Sequence, residues 1–348
     1  MSSFISSYSI TWALRQSVLT AQSNLAQAQQ EVSTGTYADV GLALGAQAGQ
    51  DINLRNQEAL LQTFTSTNNL AATNLGTTQN VLSGFQTTAQ NLLTALVGGT
   101  NQNQTASALQ QQAQSALESL ISGLNTTENG NYLFAGTNTA VAPITDYGAS
   151  GSANQAAVNS AFSSFFGFSQ SSPSVSSITA SQMQSFLTTQ FAPLFQGTNW
   201  SSDWSSASST TTTSEISPSM TVSTSVSANN SAFQDLAQAY TMLSSLGTQN
   251  LSSSALQTVE TNAENLLNAG LSGLTSVQSG VGVTQSDITT ANNQMSVELN
   301  VLSTQVGNLE NVNPYEASTE VTNLQTQIET SYSLTSQLSQ LSLVKYLS

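Results

Sequence analysis

The chain of 348 residues contains no cysteine and no histidine, and only three of its residues are basic. These absences exclude disulfide bonds, thiolate or imidazole zinc sites and histidine-based catalytic triads. Charged residues make up 6% of the chain, whereas a soluble domain has about 25%. With 18 acidic residues the net charge is -15. Nucleic acids and anionic membrane surfaces are therefore poor partners, because each phosphate contact needs a lysine or arginine.

Long apolar runs are also missing, and no cleaved leader is expected from the first residues. No stretch of 18 apolar residues occurs, so no membrane-spanning helix is expected. The segment from Met1 to Ile5 has neither the basic nor the apolar region of a signal peptide. By these signals alone the sequence predicts a soluble cytosolic chain, although a protein without cysteine would also work outside the cell without disulfide scrambling.

Apolar residues near both ends recur at alternating spacings of four and three, which is typical of a coiled coil. The sequence predicts terminal helices at 4–32 and 316–347, the second preceded by Asn313 as N-cap and Pro314 at the first helical position. Both apolar stripes are narrow, and that of the first helix is rich in alanine, so each helix is marginal alone. We therefore expect them to pair with each other and with neighbouring copies.

The predicted subunit interface consists of the apolar positions of these two helices and one tyrosine. It comprises Leu14, Val18, Ala21, Leu25, Ala28, Val32, Leu324, Ile328, Tyr332, Leu338, Leu341, Val344 and Leu347. Val321 and Leu334 are expected on the same apolar side of the last helix.

Five further helices are predicted from the same periodicity, at 52–97, 103–124, 231–246, 254–277 and 281–312. A turn at Gly280–Gly282 is expected between the last two. In the helix predicted at 52–97, the otherwise apolar positions also hold Gln57, Asn68 and Thr78. A helix over 52–97 would be roughly 70 Å long, which favours a rod over a compact globule. We expect 52–97 and 281–312 to pack within one chain.

The middle of the chain has a different composition and is predicted to be an insert. It holds four of the five prolines, a phenylalanine cluster at 162–168, and both Trp200 and Trp204. A short helix is expected at 180–190 and a strand from Met220 to Val226, where apolar and polar residues alternate.

The predicted fold class is mainly α: a long helical coiled-coil rod from the N- and C-terminal arms, with an inserted β-rich or mixed outer domain. The expected domains are terminal polymerisation helices at 1–40 and 314–348, a helical rod domain at 41–137 and 231–313, and the inserted outer domain at 138–230.

No catalytic, cofactor-binding or metal site is predicted. Asp203 between two tryptophans could indicate a sugar-cleaving cleft, but a second carboxylate at a defined spacing is not visible. Packing in the core of the insert is favoured for these tryptophans and for the phenylalanine cluster. Glu260 and Glu264 are expected on a solvated helix face.

Several motifs resemble those of the flagellin superfamily. At the C-terminus they are Tyr315–Ser318, Leu324–Tyr332 and Gln340–Leu347, and near the N-terminus Val32–Gly35. Gly130–Thr137, followed by Pro143, is similar to a motif of the hook–filament junction branch (hook-associated protein 3), of alphaproteobacterial type. Ile216–Pro218 and Ser225–Phe233 resemble that branch as well. The segment Thr36–Val40 departs from the pattern, so contacts of that region are not carried over.

The resemblance implies a structural axial component of the bacterial flagellum that joins hook to filament by helical packing of subunits. Implied partners are neighbouring copies, a hook-associated protein on the hook side, flagellin on the filament side, and a cytoplasmic export chaperone at the C-terminal helix. It also implies an extracellular location at the hook–filament junction, reached by type III export without a cleaved signal peptide. The alternatives are a filament flagellin, a secreted adhesin, and a glycan-binding or wall-cleaving module on a helical rod.

Overall fold

A computed structural model describes residues 7–99 and 106–347. Most of these residues are helical. The α-helices are α1 (Ser7–Thr34), α2 (Val40–Leu44), α3 (Ala48–Gly99), α4 (Ala106–Leu124), α5 (Ala153–Phe166), α6 (Ala180–Phe186), α7 (Gly197–Asn199), α8 (Ser231–Ser245), α9 (Ser253–Glu310) and α10 (Pro314–Leu347). The strands are β1 (Thr127–Glu128), β2 (Asn131–Tyr132), β3 (Thr213–Ser217) and β4 (Met220–Ser223).

The chain divides into two compact units. The terminal unit combines Met1–Thr63 with Gln294–Ser348, and the central unit is Phe64–Asn293. Helices α3 and α9 contribute residues to both units, so the terminal unit is built from two separate segments of the sequence while the central unit is continuous.

Helix α9 is continuous where two helices were expected. The predicted turn at Gly280–Gly282 is wrong, because residues 253–310 form one helix. The buried stripe of Leu274, Val281 and Ile288 continues through this point at spacings of seven. Each glycine costs a helix interior about 1 kcal/mol, which is less than the packing that would be lost by interrupting the stripe.

The remaining predicted helices are confirmed with shifted ends. The helix predicted at 52–97 begins earlier, as α3, and the one predicted at 231–246 is α8. Helix α4 is described from Ala106, while the first residues of the 103–124 prediction lie outside the described part of the chain. Helix α10 begins as expected: Asn313 Oδ1 accepts a hydrogen bond from the Tyr315 backbone N–H at 3.0 Å.

The insert is mixed rather than rich in strands. After α6, whose N-terminus has a capping box of Thr179 and Gln182, the chain continues through a π-helical turn at Leu187–Phe191 and a 3₁₀ turn at Ala192–Phe195. Strand β4 ends at Ser223, short of the predicted Val226, and pairs antiparallel with β3. Strands β1 and β2 form a second hairpin.

Aromatic rings form the core of the central unit. The ring centroids of Phe186, Phe191 and Phe195 are 5.9 and 5.0 Å apart in succession. Phe195 lies 5.0 Å from Trp204, which stacks on Trp200 at 5.6 Å. Phe162 packs on Phe186 at 5.5 Å. The expected aromatic core of the insert is therefore confirmed. Within the cluster at 162–168, Phe165 is the most exposed phenylalanine, at 39%.

The exposed sides of the long helices carry hydroxyl groups that bond to their own backbone. A threonine or serine Oγ donates to the carbonyl four residues earlier at many positions along α3, α9 and α10. Examples are Thr63, Thr87, Thr275, Thr289, Thr304, Thr319, Thr326 and Thr330, with oxygen–oxygen distances of 2.8 to 3.0 Å. This geometry gives the helices a polar surface with few charges.

Candidate assembly surface of the terminal unit

Helices α1 and α10 pack against each other along their lengths. Two hydrogen bonds define their relative direction. Val312 N–H donates to the Gly35 carbonyl at 2.9 Å, and Gln22 Nε2 donates to the Tyr332 hydroxyl at 2.9 Å. Gly35 follows the end of α1 and bonds just before the start of α10, whereas Gln22, further back in α1, bonds to Tyr332 further along α10. The two helices are therefore antiparallel.

On the α1 side, the contact line between these helices uses small side chains. On α1, Val18, Ala21 and Ala28 are buried, and on α10 the buried residues include Leu324 and Ile328. A buried methyl or methylene group contributes roughly 0.8 kcal/mol, so the two alanines add little. The alanine-rich stripe of α1 therefore contributes little to the packing of the pair.

Some predicted interface residues lie off this contact line. Leu14 and Leu25 are half-buried, while Val32 is 44% exposed and Tyr332 is 54% exposed. The expectation that Leu334 lies on the packed side of α10 is wrong, because Leu334 is exposed and the half-buried positions beyond Ile328 are Ser331 and Thr335. The side chains of Leu338, Leu341, Val344 and Leu347 lie outside the part of the chain whose side chains the structure describes.

Large apolar side chains on the outer faces of these helices were missed by the sequence analysis. Trp12 is 63% exposed and Leu19 is 55% exposed, and they stand seven residues apart, which places them on one face of α1. At the start of α10, Tyr315 is 81% exposed. Their sequence positions could have indicated this second face, because Trp12 and Leu19 are large apolar residues placed one position away from the coiled-coil stripe.

The connections leading into and out of α1 and α10 are joined to each other. Thr36 and Asn311 form an antiparallel bridge, and Tyr37 N–H donates to the Glu310 carbonyl at 2.9 Å. Ala38 N–H donates to Glu31 Oε1 at 3.0 Å. The end of α1 is thereby fixed to the end of α9.

A cluster of one cation and two carboxylates lies beside this connection. Arg55 Nε donates to Glu310 Oε1 at 2.6 Å, Arg55 Nη2 bonds the same carboxylate, and Asp51 Oδ2 lies 3.6 Å from Arg55 Nε. The side chains of Asp51 and Glu310 are almost fully buried, while Arg55 is half exposed. Burial raises the pKa of Asp51, and the neighbouring charge of Glu310 raises it further.

The motif at Gly130–Thr137 joins the insert to the helices of the central unit. Asn129 and Gly130 have positive φ angles of 50° and 81°, which suit the tight turn between β1 and β2. Phe134 packs perpendicular to Phe233 with ring centroids 5.8 Å apart, and Phe85 of α3 packs on Phe233 at 5.9 Å. At Gly136 a β-carbon would lie 2.6 Å from the Thr210 carbonyl oxygen, so only glycine fits.

The described residues offer no site for catalysis on sugars of the kind considered from the sequence. Trp200 and Trp204 are buried, with Trp200 Nε1 donating to Asn229 Oδ1 at 3.0 Å, so neither ring face is available for stacking. Glu260 and Glu264 are half-buried rather than fully solvated, and burial raises the pKa of Glu260. In the described ranges no group of three or more acidic side chains could hold a metal ion. No helix in these same ranges is long and apolar enough to cross a membrane.

Comparison with known proteins adds three findings. The family model of the bacterial flagellin N-terminal helical region matches residues 5–139, and that of the C-terminal helical region matches residues 264–347. No curated protein matches the chain. Among solved structures, a flagellar hook-associated protein from Vibrio parahaemolyticus is similar with a TM-score of 0.52 and 12% identity, over 76% of this chain and 97% of that one. At this identity the likeness concerns the fold.

Proposed function

This chain belongs to the bacterial flagellin family, and from that premise we propose that it forms the junction between hook and filament. Family membership makes it an extracellular structural component of the flagellum. The proposal adds a position to that role: a short layer of copies, each with one surface compatible with the hook side and another compatible with flagellin. Contacts that repeat from copy to copy without closing build such a helical layer.

The observation that carries the proposal is the motif Gly130–Thr137. This motif is similar to one found in the junction branch of the family. In this chain its backbone makes specific contacts with the insert. Ala228 N–H donates to the Phe134 carbonyl at 2.7 Å, and Ser208 N–H donates to the Ala135 carbonyl at 2.9 Å. The motif thus binds two segments of the insert, at Ser208 and at Ala228, while Phe134 packs on Phe233 of α8. The hook-associated description of the similar Vibrio structure agrees with this reading.

Assembly would use the terminal unit. Its buried contact line is used within the chain, whereas Trp12, Leu19 and Tyr315 are exposed and available to neighbouring copies. Proposed partners are further copies of this chain, a hook-associated protein on one side and flagellin on the other. We also propose export without a cleaved signal peptide, with a cytoplasmic chaperone covering the C-terminal helix before secretion.

Immunolabelling of intact flagella tests the position. Antibodies against 138–230 are applied to flagella with hooks attached and located by electron microscopy. A single band at the distal end of the hook is expected. Label along the whole filament would identify the chain as a filament flagellin. Absence of label from the flagella of cells that express the protein would contradict the flagellar role itself.

A further inference from the structure

Asn68 is a polar residue in an apolar stripe of α3. Leu61, Leu75 and Leu82 stand at the same position of the seven-residue repeat, and all three are buried. Asn68 is fully buried as well. A buried amide is costly unless its hydrogen-bonding groups have partners, so its presence here needs a reason other than packing.

The amide of Asn68 bonds to two other elements of the central unit. Its Nδ2 donates to Asn292 Oδ1 of α9 at 2.9 Å and to the Ile216 carbonyl of β3 at 2.8 Å. Asn292 Nδ2 in turn donates to Asn69 Oδ1 at 3.1 Å. One side chain of α3 therefore contacts both the facing helix and the hairpin β3–β4.

The hairpin is irregular at the residue that Asn68 contacts. The register of β3 and β4 shifts between Glu215 and Ser217, as in a β-bulge, so Ile216 does not take part in regular strand pairing. Ile216 is fully buried, and a buried carbonyl without a donor would be destabilising. Asn68 supplies that donor.

We propose that Asn68 determines the register between the central-unit segments of α3 and α9 and fixes the β3–β4 hairpin at that register. A stripe that repeats every seven residues packs almost equally well when one helix slides by seven. A single buried polar position removes this degeneracy, because Asn68 loses its partners in every other register. Asn68 Oδ1 has no partner among the described residues, which fits a residue used for specificity at some cost in stability. The inference does not depend on the proposed position in the flagellum.

The test uses the full chain, which has no cysteine of its own. Thr73→Cys on α3 and Thr290→Cys on α9 carry spin labels at exposed positions, and pulsed electron resonance measures the distance between them. Hydrogen exchange reports the protection of residues 213–223. In Asn68→Leu we expect a second distance population, because a slide of seven residues moves one label by about 10 Å along the helix axis relative to the other. We also expect a loss of hairpin protection of about tenfold.

Two variants provide the control and the second measurement. Like Asn68→Leu, Thr78→Val removes a buried polar group from α3. Thr78 Oγ1, however, donates within its own helix, to the Asn74 carbonyl at 2.9 Å. It should keep the wild-type distances and protection. Asn292→Ala removes both hydrogen bonds that Asn292 makes to α3 and leaves the bond from Asn68 to Ile216. It should therefore broaden the distances while the hairpin stays protected.

The proposal is overturned if Asn68→Leu keeps a single wild-type distance or wild-type hairpin protection. It is also overturned if Thr78→Val behaves like Asn68→Leu. Should Asn68→Leu fail to fold by circular dichroism, Asn292→Ala decides alone, and an unchanged distance distribution in that variant counts against the proposal.

Discussion

Asp51 is an acidic side chain that the fold removes from water. Its pKa lies above the ordinary value of 3.8 because of burial and the proximity of Glu310. The folded chain therefore binds this proton more tightly than the unfolded chain does. The stabilisation is fully present below about pH 4 and is lost as the pH rises through the folded pKa.

Replacing this carboxylate should alter the pH dependence of stability. In Asp51→Asn we expect a smaller fall in thermal midpoint between about pH 4 and pH 7 than in the wild type, because the titrating group is gone. Thermal denaturation followed by circular dichroism at several pH values measures it. Glu298→Gln removes an exposed carboxylate from the same unit and should retain the wild-type profile. Parallel profiles for wild type and Asp51→Asn would contradict the assignment.

Two glycines of the Gly130–Thr137 motif differ in what surrounds them. Gly136 and Gly130 both have positive φ, but a β-carbon at Gly136 would collide with the Ser208 and Thr210 carbonyls, whereas Gly130 has open space. Gly130→Ala should cost about 1 kcal/mol from backbone strain alone. Gly136→Ala should cost at least about 2 kcal/mol more, because backbone atoms must move. Urea denaturation measures both, and equal losses would show that the close approach is not present in solution.

At the scale of elements, α9 shows how the stripe of apolar residues outweighs local helix breakers. Gly280 and Gly282 lie in its interior, exposed, with open space where a β-carbon would be. Changing both to alanine should raise the free energy of unfolding by about 0.5–1 kcal/mol each. Gly273→Ala is the matched control in the same helix. There a β-carbon would lie 2.7 Å from Ala232 Cβ, so destabilisation is expected. If a turn existed at 280–282, the double alanine variant would lose stability instead.

The spacing of apolar residues was sufficient to predict the long helices but not every residue of their contacts. Leu75, Leu82 and Leu92 of α3 are buried as expected, because seven-residue spacing follows directly from helical geometry. Ser331 and Thr335 occupy the contact line of α10 although they are polar. Small side chains that bond to their own helix fit a close helix pair, as Thr335 Oγ1 does with the Ser331 carbonyl at 2.7 Å, and no hydrophobicity pattern identifies them.

The candidate site was predicted only in part, for a different reason. The sequence indicated which helices take part and located the stripe that packs inside the chain. It did not identify Trp12 and Leu19, because these two side chains face outward and do not belong to the stripe that packs inside the chain. The Arg55–Glu310 contact also joins residues far apart in sequence, and neither residue carries a local motif.

At the scale of the whole molecule, the exposed face of α1 should matter for association and not for folding. Trp12→Ser combined with Leu19→Ser should leave helical content and thermal midpoint unchanged, because both side chains are largely exposed. Burying each in an interface would contribute roughly 1.5–3 kcal/mol, so self-association should weaken by at least about a hundredfold. Sedimentation and electron microscopy of polymerised protein measure this. Val141→Ser, which removes an exposed apolar side chain from the insert, should assemble normally. Normal polymers of the double variant would contradict the role of this face.

The hydroxyl groups that bond back to their own helices have a consequence for how copies come together. A lysine or glutamate must give up strongly held water when another molecule covers it, and that dehydration opposes association. Along α10, the hydroxyls of Thr319, Thr326 and Thr330 already donate to carbonyls of the same helix. The O–H groups of these threonines do not need to give up a hydrogen bond to water, so the desolvation of this surface costs little free energy. A nearly charge-free chain is thus suited to a closely packed wall, in which each copy exchanges solvent for its neighbours without breaking its own hydrogen bonds.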